Sequence, residues 1–60
     1  MTDLEVEVYD KVAKIIDNLS EVEFLELDFN NSYDIKVLEK KAKVTITKEV
    51  AEKLELFYLG

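Results

Sequence analysis

Val22-Glu23-Phe24-Leu25-Glu26-Leu27-Asp28-Phe29-Asn30-Asn31-Ser32-Tyr33-Asp34-Ile35-Lys36-Val37 is the stretch on which the fold turns. Within residues 22–29, Leu25, Leu27 and Phe29 fall on one side of an extended chain, and Glu26 and Asp28 on the other. A two-residue period of this kind marks a half-buried strand. Phe24 breaks the phase, and a bulge that turns it inward would repair it, since one extra residue reverses the facing of everything before it. Left unrepaired, Phe24 is an exposed contact. Asn30-Asn31-Ser32 has the residues of a turn, because asparagine tolerates left-handed backbone and bonds to its own main chain. Tyr33, Ile35 and Val37 then alternate with Asp34 and Lys36. The pattern predicts a β-hairpin.

Upstream, residues 3–19 read as an amphipathic helix. Val8, Val12, Ile15 and Leu19 recur at helical spacing, widened by Leu4, Tyr9 and Ile16. Thr2 is a good N-cap, and Glu5 three positions later completes a capping-box pattern. Downstream, Glu39-Lys40-Lys41-Ala42 is a polar break. Val44 and Ile46 alternate with Lys43, Thr45 and Thr47, the pattern of a third strand. Thr47 is placed to cap a second helix from Lys48 to about Leu56, with Val50, Ala51 and Leu54 on its apolar side. The expected architecture is one α+β domain over residues 1–60, α-β-β-β-α, a three-stranded antiparallel meander covered by two helices. Three strands under helical cover can fold where two would be marginal.

A chain of 60 residues buries only roughly 60% of the surface it exposes when unfolded. Small scaffolds usually add a disulfide, a metal or a second copy of themselves. Cysteine and histidine are both absent, which removes disulfides, thiolate zinc sites and imidazole ligands together. Association remains, and the 48% hydrophobic content suits an extra buried face, so a homodimer is expected. Leu56-Phe57-Tyr58-Leu59 places four large apolar residues in a row. They fill the core or meet a partner; Phe57, Tyr58 and Leu59 are the expected oligomer contact. No apolar run approaches the roughly 20 residues needed to span a bilayer. The first residues, Met1-Thr2-Asp3-Leu4-Glu5, are acidic where a secretory signal is basic, so a cytoplasmic protein is expected, without membrane association.

Catalysis has little to work with. No His or Cys is present to act near neutral pH, and Ser20 and Ser32 have no obvious base. Carboxylate pairs such as Glu5/Glu7 or Glu26/Asp28 stand two apart on expected surfaces, and a chain this short hardly builds the cleft that a paired-carboxylate hydrolase needs. Residues 28–34 carry oxygen groups but lack the glycine and the distal glutamate of a calcium loop. No catalytic residue, cofactor or metal is expected.

Charge is sorted along the chain. Residues 1–35 hold ten acidic groups against two lysines, a net of −8, and residues 36–53 hold six lysines against three glutamates, a net of +3; the total is −6. Lys40, Lys41 and Lys43 are the natural phosphate-contacting set. The segment Lys43-Val44-Thr45-Ile46-Thr47-Lys48-Glu49-Val50-Ala51-Glu52-Lys53-Leu54-Glu55-Leu56 resembles the strand-to-helix segment of the swapped-hairpin AbrB family of transition-state regulators and antitoxins. The resemblance implies a dimer that binds DNA through basic residues near this segment, Lys43 matching the residue before the strand. Thr47 stands where that family usually has proline, and Ala42 and Glu55 where it usually has glycine. A net charge of −6 opposes direct binding to duplex DNA.

The acidic half implies the opposite partner. Rows of carboxylates can imitate the phosphates of a nucleic acid and occupy the basic groove of a protein that handles one, with long-range attraction speeding the encounter. Glu7, Asp10, Asp17, Glu23, Glu26 and Asp28 are the expected partner-binding acids; keeping a small domain in solution is their other role. In size, acidity and lack of catalytic groups the chain is similar to phage-encoded inhibitors of host defence or DNA-handling enzymes. The leading expectation is a non-enzymatic, homodimeric inhibitor of such a protein. A swapped-hairpin-like DNA-binding regulator or antitoxin, acting through Lys40, Lys41 and Lys43, is the alternative.

Overall fold

The computed structural model describes residues 1–59 and holds, among them, four helices and no strand. α1 spans Asp3–Asp17, α2 Glu21–Glu26, α3 Ser32–Ala42 and α4 Lys48–Leu59. The expected α+β meander is therefore corrected to an all-α fold. Each of the three expected strands is helix, connection or loop.

α1 begins where its cap indicates. The Glu5 N–H donates to the Thr2 hydroxyl (3.2 Å), and the Glu5 carboxylate accepts from the Thr2 N–H (3.1 Å). The helix ends two residues before Leu19, where Asn18 Nδ2 donates to the Lys14 carbonyl (2.8 Å). Val8, Val12 and Ile16, four apart, form its buried stripe.

The first expected strand is α2. A second capping box starts it: the Ser20 hydroxyl accepts from the Glu23 N–H (3.2 Å), and the Glu23 carboxylate accepts from the Ser20 N–H (3.1 Å). Helical backbone turns Phe24 toward Tyr58, with ring centroids 5.8 Å apart, so no bulge is needed. After Glu26 the chain is extended at Leu27 (φ −70°, ψ 126°) and delivers Phe29 into the core. Leu27 and Phe29 thus share the inward side of a short connection. Leu25, their expected neighbour, stands exposed on α2.

The second expected strand is α3. The Asn31 side chain accepts from the N–H groups of Tyr33 (2.9 Å) and Asp34 (3.4 Å), so the expected turn is a helix cap. Leu38 is buried, and half-buried Ile35 and Ala42 lie three before and four after it, a helical set. α3 ends at Lys43, which holds φ 59°, a left-handed value that closes the last turn with the Val44 N–H donating to the Glu39 carbonyl (3.2 Å).

The third expected strand is a loop. Its apolar residues still point inward, Ile46 buried and Val44 half-buried. The Glu39 carboxylate takes the place of a sheet partner by accepting from the Ile46 N–H (2.7 Å). Thr47 caps α4 as expected, accepting from the Val50 N–H (3.2 Å), and the helix runs on past Leu56 to Leu59.

α1 packs on both α3 and α4. It runs in the same direction as α4, since the Thr47 hydroxyl donates to Glu5 (3.1 Å) at their starts and the Tyr58 hydroxyl donates to Asp17 (2.8 Å) toward their ends. Val8, Val12, Ile16, Phe29, Leu38, Ile46, Val50 and Leu54 make the core, and no polar or charged residue is buried among the described residues. The radius of gyration, 10.5 Å, matches the ~10.4 Å of a compact chain this long. The core thus closes within one copy.

Candidate functional site

The six expected partner-binding acids are all exposed, but they fall in separate places. Glu7 and Asp10 lie on the outer side of α1, away from its buried stripe. Glu7 there pairs with Lys11 one turn on, at 3.5 Å. Asp17 sits where α1 ends and accepts from Tyr58. Asp28, in the α2–α3 connection, accepts from the Asn30 N–H (2.9 Å) and shapes the turn. Glu23 and Glu26 stand on α2, where they meet a third carboxylate that the sequence reading did not single out, Asp34 of α3.

Those three acids rim a groove between α2 and α3. The groove holds about 320 Å³ and its floor is apolar, made by Leu19, Leu27, Val37 and Leu38. Lys41 and Tyr33 complete the rim, Tyr33 with 72% of its surface exposed. Asp34 is fixed by accepting the Asp28 N–H (3.0 Å). The Ser20 N–H, bonded to Glu23, holds that carboxyl below its ordinary value of 4.5; the Ser20 side chain and the charge of nearby Lys41 act in the same direction. Glu23 is therefore an anion at neutral pH. The site thus combines fixed negative charge, an apolar floor and an exposed aromatic ring. Chemically it is suited to holding a cationic group that carries apolar surface.

The three expected DNA-binding lysines are divided. Lys40 and Lys43 gather with Lys36 and Glu39 along the side of α3 toward the α3–α4 loop, while Lys41 turns to the acidic groove. Sequence spacing alone separates Lys40 from Lys41 once α3 is read as a helix. Lys36 and Lys40, four apart, share a face, and Lys41 lies a further 100° round; Lys43 joins the first two from its left-handed position past the helix end. The helical half of the segment 43–56 is present in α4; its strand half is a loop.

The expected oligomer contact is divided as well. Tyr58 points inward, its ring stacked on Phe29 (6.4 Å between centroids, planes 12° apart) and its hydroxyl on Asp17 and the Ala13 carbonyl. Phe57 meets Tyr9 edge-on at 6.5 Å yet leaves 70% of its surface exposed. Leu59 is 58% exposed, and Leu56, three residues before it on the same outer side of α4, 66%. The apolar surface that the last turns of α4 leave exposed is Leu56, Phe57 and Leu59. Among the described residues no cluster of acids is placed to hold a metal ion, and no helix is long and apolar enough to cross a membrane. Comparison with protein-family models, with curated proteins and with solved structures finds no match to this chain.

Proposed function

We propose that this chain is a non-enzymatic binding module that associates through the exposed apolar residues of α4 and uses its carboxylate surface to occupy a basic region of a larger protein. A nucleic-acid-handling or defence protein is the expected class of target, because such proteins carry basic grooves, and inhibition is the expected consequence of filling one. The reading rests on one observation. Large apolar side chains that the closed core does not use (Leu25, Tyr33, Leu56, Phe57, Leu59) stand on the surface of a molecule with a net charge of −6. Leu56, Phe57 and Leu59 adjoin one another on α4, and a contiguous exposed apolar patch of this kind supports contact with a partner.

The test is capture of a target from the cell in which the gene acts, by the native chain and by a variant carrying Asp10→Lys, Glu26→Lys and Asp28→Lys. The native chain retains a basic protein at low salt and the variant releases it. Equal retention by both would remove the electrostatic role.

A second reading is favoured by the gathering of Lys36, Lys40 and Lys43 on one side of α3. It assigns that side to nucleic-acid phosphates. Binding to duplex DNA at low ionic strength, lost on changing these three lysines to glutamine, would support it; a gel shift without any complex would dismiss it.

A further inference from the structure

We infer that the α2–α3 groove is the recognition pocket of this protein. Its occupant is a short cationic amphipathic segment of a protein partner, one large apolar side chain entering the slot and lysine or arginine side chains lying across its rim. The inference deepens the functional reading above and rests on it.

Three features carry it. The first is shape. A volume of about 320 Å³ lies at the lower end of the ~300–1,000 Å³ range of small-molecule pockets, and the groove is shallow enough to leave Glu23, Glu26, Tyr33 and Lys41 of its rim exposed, with Asp34 half-buried. So open a slot admits one large apolar side chain while the rest of its segment lies across the rim. The second is charge. Glu23, Glu26 and Asp34 face Lys41 alone, so the rim has a net charge of −2. Asp34 is already held by a main-chain N–H group, so little side-chain freedom is lost there when a cation arrives, while Glu23 lies beside Lys41. The third is the exposed ring of Tyr33 at the edge. Tyrosine is enriched at the centres of protein interfaces, because it offers a large rigid surface at low entropic cost, and its face attracts the cations that the rim also selects. The outer face of α1, by contrast, has acids but no apolar slot, and its Glu7 is already paired with Lys11.

Lys41 sets polarity. It stands one to two turns beyond Asp34, Val37 and Leu38 on α3, so the cationic end of the occupant lies toward Glu26 and Asp34 and avoids the Lys41 end.

The probe is a synthetic helical peptide that presents two leucines flanked by lysines on one face, titrated at low salt into the isotopically labelled native chain and followed by backbone amide NMR. A companion peptide has serine in place of the leucines and the same charge. The expected result is saturable shifts at Leu27, Tyr33, Val37 and Leu38, with about tenfold weaker binding of the serine peptide. Glu26→Lys and Tyr33→Ala, both at exposed positions, should each weaken the leucine peptide by a similar factor while leaving the helical circular-dichroism signal intact. Equal affinity for the two peptides, or shifts confined to the outer face of α1 around Asp10, overturns the groove and leaves the acidic-surface reading standing. Absence of any shift at low salt overturns both.

Discussion

At the scale of single residues, Tyr58 joins the two parallel helices. Its ring sits against Phe24, Phe29 and Phe57, with centroids 5.8, 6.4 and 4.9 Å away, and its single hydroxyl proton faces two acceptors on α1. The 2.8 Å bond to the Asp17 carboxylate is the shorter and charge-assisted one; the Ala13 carbonyl at 3.3 Å is the secondary partner. Desolvation by burial, then the bond and charge of Asp17, favour the neutral phenol and raise its pKa from 10.0 to about 12. A group with a raised folded pKa adds stability that is complete below its unfolded value and disappears as pH climbs through the folded one. The protein should therefore lose stability between pH 10 and about pH 12. Tyr58→Phe keeps the ring and removes the hydroxyl, at a cost of about 1 kcal/mol at neutral pH, or a melting temperature lower by about 4–8 °C. It should also flatten the decline over that alkaline window, which thermal melts of the two proteins at stepped pH will read. A variant that declines as steeply as the native chain would place the alkaline sensitivity elsewhere.

At the scale of elements, α2 rests on its capping box and on one tertiary contact, Phe24 against Tyr58. Its six residues contribute nothing to the fully buried core, and so short a helix is far below the length that persists in water unaided. The Ser20–Glu23 box and the half-buried Phe24 hold it. Ser20→Ala removes the hydroxyl that accepts the Glu23 N–H, a change worth about 1 kcal/mol. The loss should appear locally, as faster amide exchange across Glu21–Glu26, while α1 and α4 keep their protection. The Glu23 carboxyl gives the same element a pH signature. Its folded pKa is depressed, so the stability it adds is present above about pH 4.5 and is lost as pH falls through the lower folded value. Glu23→Gln keeps an acceptor for the Ser20 N–H and should remove that part of the acid sensitivity.

α2 also marks where the sequence is readable and where it is not. Thr2-x-x-Glu5 and Ser20-x-x-Glu23 are the same signal, and both open helices. The second is overridden, on a reading of residues 22–37, by the alternation of Leu25, Leu27 and Phe29. Part of that alternation is real, because the chain is extended at Leu27; part is coincidence, because Leu25 belongs to the helix and faces water. In 33–37, Tyr33 is exposed while Ile35 and Val37 are half-buried, so the two-residue period has no common buried face. The three- and four-residue steps Ile35, Leu38, Ala42 are the ones that packing uses. α1 and α4 are legible because their apolar stripes extend over several turns and no other period competes. Lys43 in left-handed backbone is invisible beforehand, since nothing in a lysine calls for that conformation. The groove is hidden for a related reason. Glu23 and Glu26 become its rim only when helical backbone replaces the expected strand and α3 supplies Asp34 and the floor.

At the scale of the whole molecule, two kinds of association should respond to salt in opposite directions. The core closes within one copy, so a second copy would dock on a finished surface through Leu56, Phe57 and Leu59. Two copies of net charge −6 repel one another, and that repulsion is screened as the Debye length falls from about 30 Å at 0.01 M to about 8 Å at 0.15 M. Contact between apolar side chains survives screening and is strengthened by strongly hydrated salts. The dimer should therefore tighten as salt rises. Binding of a cationic partner rests on attraction to the same net charge and should weaken over the same range. Sedimentation equilibrium on the free chain and a salt series on the partner complex read the two trends separately. Leu56→Ser with Leu59→Ser should abolish the first trend without changing the second, because both side chains lie on the outer side of α4, away from the α2–α3 groove. A dimer that loosens with salt would mean that the acidic first half of one copy meets the lysine-rich segment of another. The carboxylates would then be engaged within the assembly and closed to any outside partner.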